Sequence, residues 1–321
     1  LNNKGISETV SELNQIISNV NRVIVGKERE IKLLLVALLS EGHVLLEDVP
    51  GTGKTVLAKA LAASLGCQFS RVQFTPDVLP SDVTGVSIFN QKINDFEFRK
   101  GPIMTNVLLA DEINRATPRT QSSLLEAMAE KQVTADGKTY KLDRPFFVIA
   151  TQNPIESQGT FPLPDAQMDR FLMKISMGYP TFDEELLIIR RFRVEEPLNQ
   201  LYSVMTQEGI IEIQQKVREI EIHEVVEKYL LHIVRHTRDH EDIEVGISPR
   251  GSIALMRAAQ AMALLDGRTY CIPDDIREIA VEVLAHRLKL TMEAYLQTTP
   301  ERIIKDIIEN ASVPLENGIG T

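Results

Sequence analysis

Between residues 45 and 55 the chain reads LLEDVPGTGKT, an apolar run that enters a glycine-containing turn and then a helical pattern, TVLAKALAASLG. Successive backbone N–H groups in such a turn point inward and cradle phosphate oxygens, helped by the positive end of the following helix. Gly51 and Gly53 permit the tight backbone path, Lys54 reaches the β- and γ-phosphates, and the Thr55 hydroxyl suits a Mg²⁺ ion. The strict form, G-x-x-x-x-G-K-S/T, would put glycine at 48, where this chain has Asp48. A chance turn rich in Gly and Pro is the alternative, and the strand–loop–helix context speaks against it. The element demands a strand with a helix packed behind it, so it already narrows the fold class.

The rest of the first half supplies the remaining strands. Apolar runs recur at HVLLE (43–47), FSRVQF (69–74), VLLA (107–110), FFVIAT (146–151) and FLMKIS (171–176), which read as buried strands. Helical patterns such as QSSLLEAMAEK lie between most of them, and residues 7–40 read as one or two further helices. Strands alternating with helices predict an α/β fold with a parallel sheet covered on both faces. Two segments interrupt this rhythm. GVSIFNQKINDFEFRKG (85–101) alternates around Asn94-Asp95, and KQVTADGKTYKL (131–142) alternates around Asp136-Gly137, a strong hairpin signal. Both read as hairpins projecting from the core.

After Tyr179-Pro180 the texture becomes helical, from Phe182 to Asn310, and the tail VPLENGIGT reads as frayed. The expected division is therefore 1–180, the α/β core with its N-terminal helices, and 181–321, an all-α unit. Charge divides at the same place. Residues 1–180 hold 19 basic against 20 acidic side chains, and 181–321 hold 16 against 25, so the second half carries nearly all of the net −10. That half would repel nucleic acid and anionic lipid and could attract a basic protein. No Trp and few other aromatic residues leave little for stacking on single-stranded nucleic acid. No uncharged stretch exceeds about a dozen residues, short of a membrane span. The start, LNNKGISETV, has no apolar leader-like run. Cys67 and Cys271 make neither a disulfide framework nor a metal spacing. The expectation is a cytoplasmic protein with reduced thiols.

Two acids and an amide complete the phosphate site. VLLADE ends an apolar strand in Asp111, suited to hold Mg²⁺, usually through water, and Glu112, suited to orient or deprotonate an attacking water. A strand ending in acids is weak alone, and it gains force by following a phosphate loop. FFVIATQNP ends in Asn153, at the carboxyl end of a central strand where open α/β sheets bind ligands. Asn153 could hold water or the γ-phosphate, or be a strand-end turn residue.

Taken together these residues resemble the AAA+ ATPases, and within them the MoxR family, over roughly residues 20–290. VIVGKERE (23–30) looks like that family's start of the nucleotide pocket, and LLEDVPGTGKT matches its Walker A with the same Asp variant. GPIMTNVLLADEINRA (101–116) looks like its Walker B, ATQNPIESQGTFPLPDAQMDRF (150–171) its sensor 1 and arginine-finger stretch, and GISPRG with CIPDDI its sensor 2 and lid. The resemblance implies a five-stranded parallel sheet of order 5-1-4-3-2 with hairpin inserts, followed by a helical lid. It implies ATP and Mg²⁺ as ligands, with Val25, Gly26, Pro50, Gly51, Thr52, Gly53, Lys54, Thr55 and Val56 around the nucleotide. Thr55 and Asp111 would hold the metal. Asn153 would be sensor 1, Arg170 a finger inserted into a neighbouring subunit, and Arg250 a sensor closing from the lid over the γ-phosphate. Without the resemblance, Arg170 could simply pair with Asp165 or Asp169, and Arg250 could be a surface charge at a helix start.

The family further implies a ring, a hexamer, that remodels or matures a protein client, often with a partner carrying a von Willebrand factor A domain. A DNA-associated motor or helicase loader is the alternative, with Lys92, Arg99 and Lys100 of the first hairpin its one support; the acidic lid argues against nucleic acid. A nucleotide switch that barely turns over is disfavoured by Glu112. His232, His236 and His240 recur every four residues, but no further ligand completes a metal set, so they read as a solvated helix face. Arg115 and Arg119 are left unassigned.

Overall fold

The computed structural model describes residues 3–47, 51–92, 94–153, 159–193 and 197–313. Its centre is a five-stranded parallel sheet: β1 (Val44–Glu47), β2 (Phe69–Gln73), β5 (Val107–Asp111), β8 (Phe147–Gln152) and β9 (Met173–Ile175). The lateral order is β2-β5-β8-β1-β9, which in core-strand order is the expected 5-1-4-3-2. Register carries Val44 opposite both Ile149 and Met173, and Leu109 opposite Ile149.

The sheet is covered on both faces because successive side chains alternate. Val44, Leu46, Leu109 and Ile149 point into one apolar cluster, with α2 (Glu28–Leu39) and α3 (Lys54–Ser64). Leu45, Leu108, Ala110, Val148 and Ala150 point into the other, against Leu124, Leu125 and Met128 of α5 (Pro118–Glu130). β2 departs from the expectation of a buried strand. It is the sheet's edge, and Arg71 and Gln73 on it are exposed.

Residues 7–40 form two helices, α1 (Asn3–Asn21) and α2. Both expected hairpins are present. β6 (Gln132–Ala135) and β7 (Lys138–Lys141) are joined by Asp136 at φ 49° and Gly137 at φ 75°, the paired left-handed residues that a two-residue hairpin loop requires. β3 (Gly85–Asn90) and β4 (Asp95–Lys100) follow the short helix α4 (Pro80–Thr84). Here Asn90 pairs with Asp95, so the turn precedes Asp95 rather than centring on Asn94-Asp95. The exposed Lys92, Arg99 and Lys100 lie on this hairpin.

After the short α6 (Asp165–Met168) and β9, the helices are α7 (Phe182–Phe192), α8 (Gln207–Arg218), α9 (Glu224–Asp239), α10 (Pro249–Leu265), α11 (Pro273–Leu284) and α12 (Pro300–Asn310). A small antiparallel ribbon, β10 (Ile243–Val245) with β11 (Lys289–Leu290), was not anticipated. The apolar core runs on across residue 180, with Leu34, Val36 and Leu38 of α2 in one cluster with Ile210, Ile213, Ala261 and Leu264. Polar bonds follow the same route: Gln214 donates to the Leu38 carbonyl at 2.8 Å, and Asn19 donates to that of Tyr202 at 2.8 Å. His232 and His236 are exposed on α9, and His240 follows its end. Among the described residues, no helix is long and apolar enough to cross a membrane, and no group of three His, Cys, Asp or Glu side chains could hold a metal. Most of the tail VPLENGIGT lies outside the described residues.

Candidate nucleotide-binding site

β1 delivers the chain to the phosphate loop at the carboxyl edge of the sheet. Asp48 and Pro50 lie outside the described residues. Gly51 and Gly53 have φ of 86° and 85°, and Gly53 caps α3, whose first residues are Lys54 and Thr55. A Cβ on either glycine would meet no described atom within 4 Å, so their positive φ, which brings the loop onto the N-terminus of α3, is what calls for glycine here. The cradle therefore fits an anion at the head of α3.

A cleft of about 380 Å³ opens there, lined by Gly51, Gly53, Lys54, Thr55, Asp111, Glu112, Asn153, Arg71, Gln73, Thr151 and Gln152. The first seven are the expected phosphate, metal and water residues, now brought together from three strands and a helix. Gly51 and Gly53 also border a second, apolar cavity of about 240 Å³, whose walls include Val25, Thr52, Val56, Met177, Ile188 and Phe192. An anion cradle that opens onto an apolar slot suits a phosphorylated molecule with a flat base. Gly26 does not line the slot. A Cβ there would meet Glu184 Oε1 at 1.8 Å, so glycine lets the start of α7 close against the pocket wall.

The acidic wall is tightly organised. Asp111 Oδ1 accepts the buried Thr151 hydroxyl at 2.6 Å, and Thr151 Oγ1 in turn accepts the Glu112 N–H at 2.8 Å. That bond holds Glu112 at φ 56°, a conformation uncommon outside glycine. Gln73 donates to Glu112 Oε2 at 2.8 Å, and Arg115 pairs with the same oxygen at 2.9 Å. Arg71 donates twice to Asp111 Oδ2, at 3.1 and 2.6 Å. Thr55 and Asp111, a hydroxyl and a carboxylate on one cleft, are the hard oxygen donors a Mg²⁺ ion takes. Asn153 is buried at the end of β8, where its carbonyl accepts from the Asn114 amide at 3.4 Å.

The two expected arginines lie elsewhere. Neither Arg170 nor Arg250 lines this cleft. Arg250 is exposed at the start of α10 and reaches Asp169 at 3.9 Å. Asp169 is also held by the buried Arg287 at 2.7 Å, and among the described residues no carboxylate pairs with Arg170. The simple pairing of Arg170 with Asp165 or Asp169 is thus not what forms.

Sequence reasoning missed Arg71, Gln73, Thr151 and Arg115 as members of the site. The first two alternate as polar residues along β2, a signal visible in the sequence that gains its meaning only from the pairing of β2 with the acidic strand.

Comparison with known proteins agrees with this architecture. Residues 43–173 match the profile of the ATPase family associated with various cellular activities (AAA), and 235–307 match that of the AAA lid domain. The fold and site thus define an AAA+ ATPase with a helical lid. The chain is 52% identical to the uncharacterized protein YeaC of Bacillus subtilis over 95% of each chain. It is 40% identical to Chaperone MoxR1 of Mycobacterium tuberculosis, covering 98% of this chain and 86% of that one. A solved structure from Cytophaga hutchinsonii, described as a candidate ATPase, superposes with TM-score 0.91 at 39% identity, covering 97% of this chain and 98% of the other. The chain belongs to the MoxR family of AAA+ ATPases.

Proposed function

We propose that the chain is a Mg²⁺-dependent ATP hydrolase that works in a homo-oligomeric ring, a hexamer, to remodel or mature a protein client. The observation that carries this reading is the shared border of the anion cradle and the apolar slot at Gly51 and Gly53, with Asp111 and Glu112 on the same cleft as Lys54 and Thr55. The chaperone naming of the MoxR1 relative supports a protein client. A partner carrying a von Willebrand factor A domain rests on the family resemblance, and a cytoplasmic location on the reading of Cys67 and Cys271 as reduced thiols.

In this mechanism the loop N–H groups and Lys54 bind the phosphates, while Val25 and Val56 pack the base. Thr55 and Asp111 would hold Mg²⁺, which when bound offsets phosphate charge. Asn153 orients a water, and Glu112 accepts its proton as the oxygen attacks the γ-phosphorus and the bond to the β–γ bridging oxygen breaks, releasing ADP and phosphate. Arg170 serves the site of an adjacent copy. Arg250, which touches Asp169 beside Arg170, closes from the lid over the γ-phosphate.

Lys54→Ala should lose nucleotide binding, whereas Glu112→Gln should bind and not hydrolyse. Normal turnover by Glu112→Gln would overturn its role. Arg170→Ala should bind ATP yet fall by about 10³–10⁵ in rate. Mixing it with Lys54→Ala protein should restore partial activity, because some sites then pair an intact Lys54 with a neighbour's intact Arg170. Mixed rings that stay inactive would refute the trans role.

A further inference from the structure

Arg71 is the cation of the phosphate cleft that the mechanism above does not use. It projects from the edge strand β2, where Arg71 pairs with Leu109 and Gln73 with Asp111. Its Nε and Nη2 converge on one oxygen of Asp111, and Nη2 also donates to Gln73 Oε1 at 2.8 Å. With Thr151 on the other oxygen, three of the about four lone-pair sites on Asp111 are engaged, both of those on Oδ2 by a fixed positive charge. The Asp111 side chain is only 15% exposed, whereas that of Arg71 is 45% exposed. The carboxylate is thus held in place and the guanidinium is able to leave it.

We propose that Arg71 is a placeholder cation: it neutralises Asp111 while no divalent ion is present and moves from the carboxylate to the nucleotide's phosphates when one arrives. The proposal rests on the reading of Asp111 as a metal carboxylate. Nε and Nη2 fill both lone pairs of Oδ2, so a divalent ion, or a water on it, that takes this oxygen displaces the guanidinium. A guanidinium is always charged and matches phosphate oxygens with the same fork it presents to a carboxylate. Arg71 shares the cleft with Gly51, Gly53 and Lys54, so the phosphates would lie within its reach. Displacement from Asp111 therefore ends in a second ion pair. The arrangement makes bare divalent ions poor ligands and makes metal and nucleotide bind together.

The test reads Mn²⁺ binding to the nucleotide-free protein by the electron paramagnetic resonance signal of free Mn²⁺, which needs no turnover. Arg71→Gln should bind Mn²⁺ at least about tenfold more tightly than wild type, the scale of one hydrogen bond to a charged group. Arg71→Lys, which keeps the charge and loses the fork, should fall between. Arg71→Gln should also weaken binding of a non-hydrolysable ATP analogue more than binding of the bare nucleoside. Equal Mn²⁺ affinity in wild type and Arg71→Gln would overturn the placeholder role. The reading of Asp111 is tested separately, by Arg71→Gln/Asp111→Asn. If this double variant binds Mn²⁺ as well as Arg71→Gln does, Asp111 is not the metal carboxylate. If it loses the binding, that reading stands whatever Arg71 does. Melting curves matched to wild type identify the variants as folded.

Discussion

Asp169→Ala should be among the most damaging surface-proximal substitutions in the molecule, and the reason is the side chain it abandons. Arg287 is 4% exposed in its side chain, and it donates to Asp169 Oδ1 at 2.7 Å, to the Phe171 carbonyl at 2.7 Å and to that of Leu172 at 3.1 Å. Burial pushes the Arg287 guanidinium below its ordinary pKa, and the Asp169 carboxylate pushes back. Removing one partner of a buried pair costs about 3–5 kcal/mol, because the other charge stays buried and unpaired. The retained carbonyl partners favour the low end, about 3 kcal/mol. Arg287→Met should cost less, since Asp169 is 23% exposed and can rehydrate. The double variant should be more stable than Asp169→Ala alone. Urea denaturation followed by circular dichroism at neutral pH gives the full cycle. A loss below about 1 kcal/mol for Asp169→Ala, within the range of exposed pairs, would refute the reasoning. So would a double variant equal to the sum of the singles.

Buried His43, whose Nδ1 accepts the Val148 N–H at 3.0 Å, is held neutral by burial with its pKa pushed down to about 4. The folded state therefore binds fewer protons than the unfolded chain between about pH 6.5 and 4, so stability falls as pH drops through that window. A folded His43→Gln variant should show a shallower decline of unfolding free energy with acid, and an unchanged slope would count against the assignment. Gly101→Ala should destabilise the base of the β3–β4 hairpin by at least about 1 kcal/mol, because its Cβ would meet Gly85 N and the Val83 carbonyl oxygen at 2.4 Å. Wild-type melting behaviour would refute this. Burial raises the Cys67 and Cys271 thiols to about 12. Ellman's reagent at pH 8 should therefore react slowly with the folded protein and fully after denaturation, whereas two fast-reacting thiols in the folded state would contradict it.

What the sequence disclosed was whatever runs along the chain. Apolar runs marked each core strand, and Asp136-Gly137 announced its hairpin through two residues tolerant of positive φ. The sheet order came with the family resemblance, since strand periodicity says nothing about lateral neighbours. The three-residue β10 and two-residue β11 are too short to show a period at all. Likewise, the packing of α2 against α8 and α10 joins residues far apart in sequence, and no local pattern reports it.

The same distinction explains the site. Lys54, Thr55, Asp111, Glu112 and Asn153 were legible because each ends a strand or opens a helix, and strand ends in a parallel sheet gather at one edge. Arg71 and Gln73 looked like ordinary polar positions on a strand expected to be buried. Only the register of β2 against β5, which sets Gln73 beside Asp111, turns that alternation into a polar wall facing the acids. Thr151 was hidden for the opposite reason. It is 1% exposed within an apolar run, yet its hydroxyl joins Asp111 to the Glu112 backbone across the strand boundary. A buried hydroxyl is kept where its hydrogen bonds are satisfied. Here both of its bonds go to the two acids, so Thr151 is best understood as the side chain that fixes their geometry before any ligand arrives.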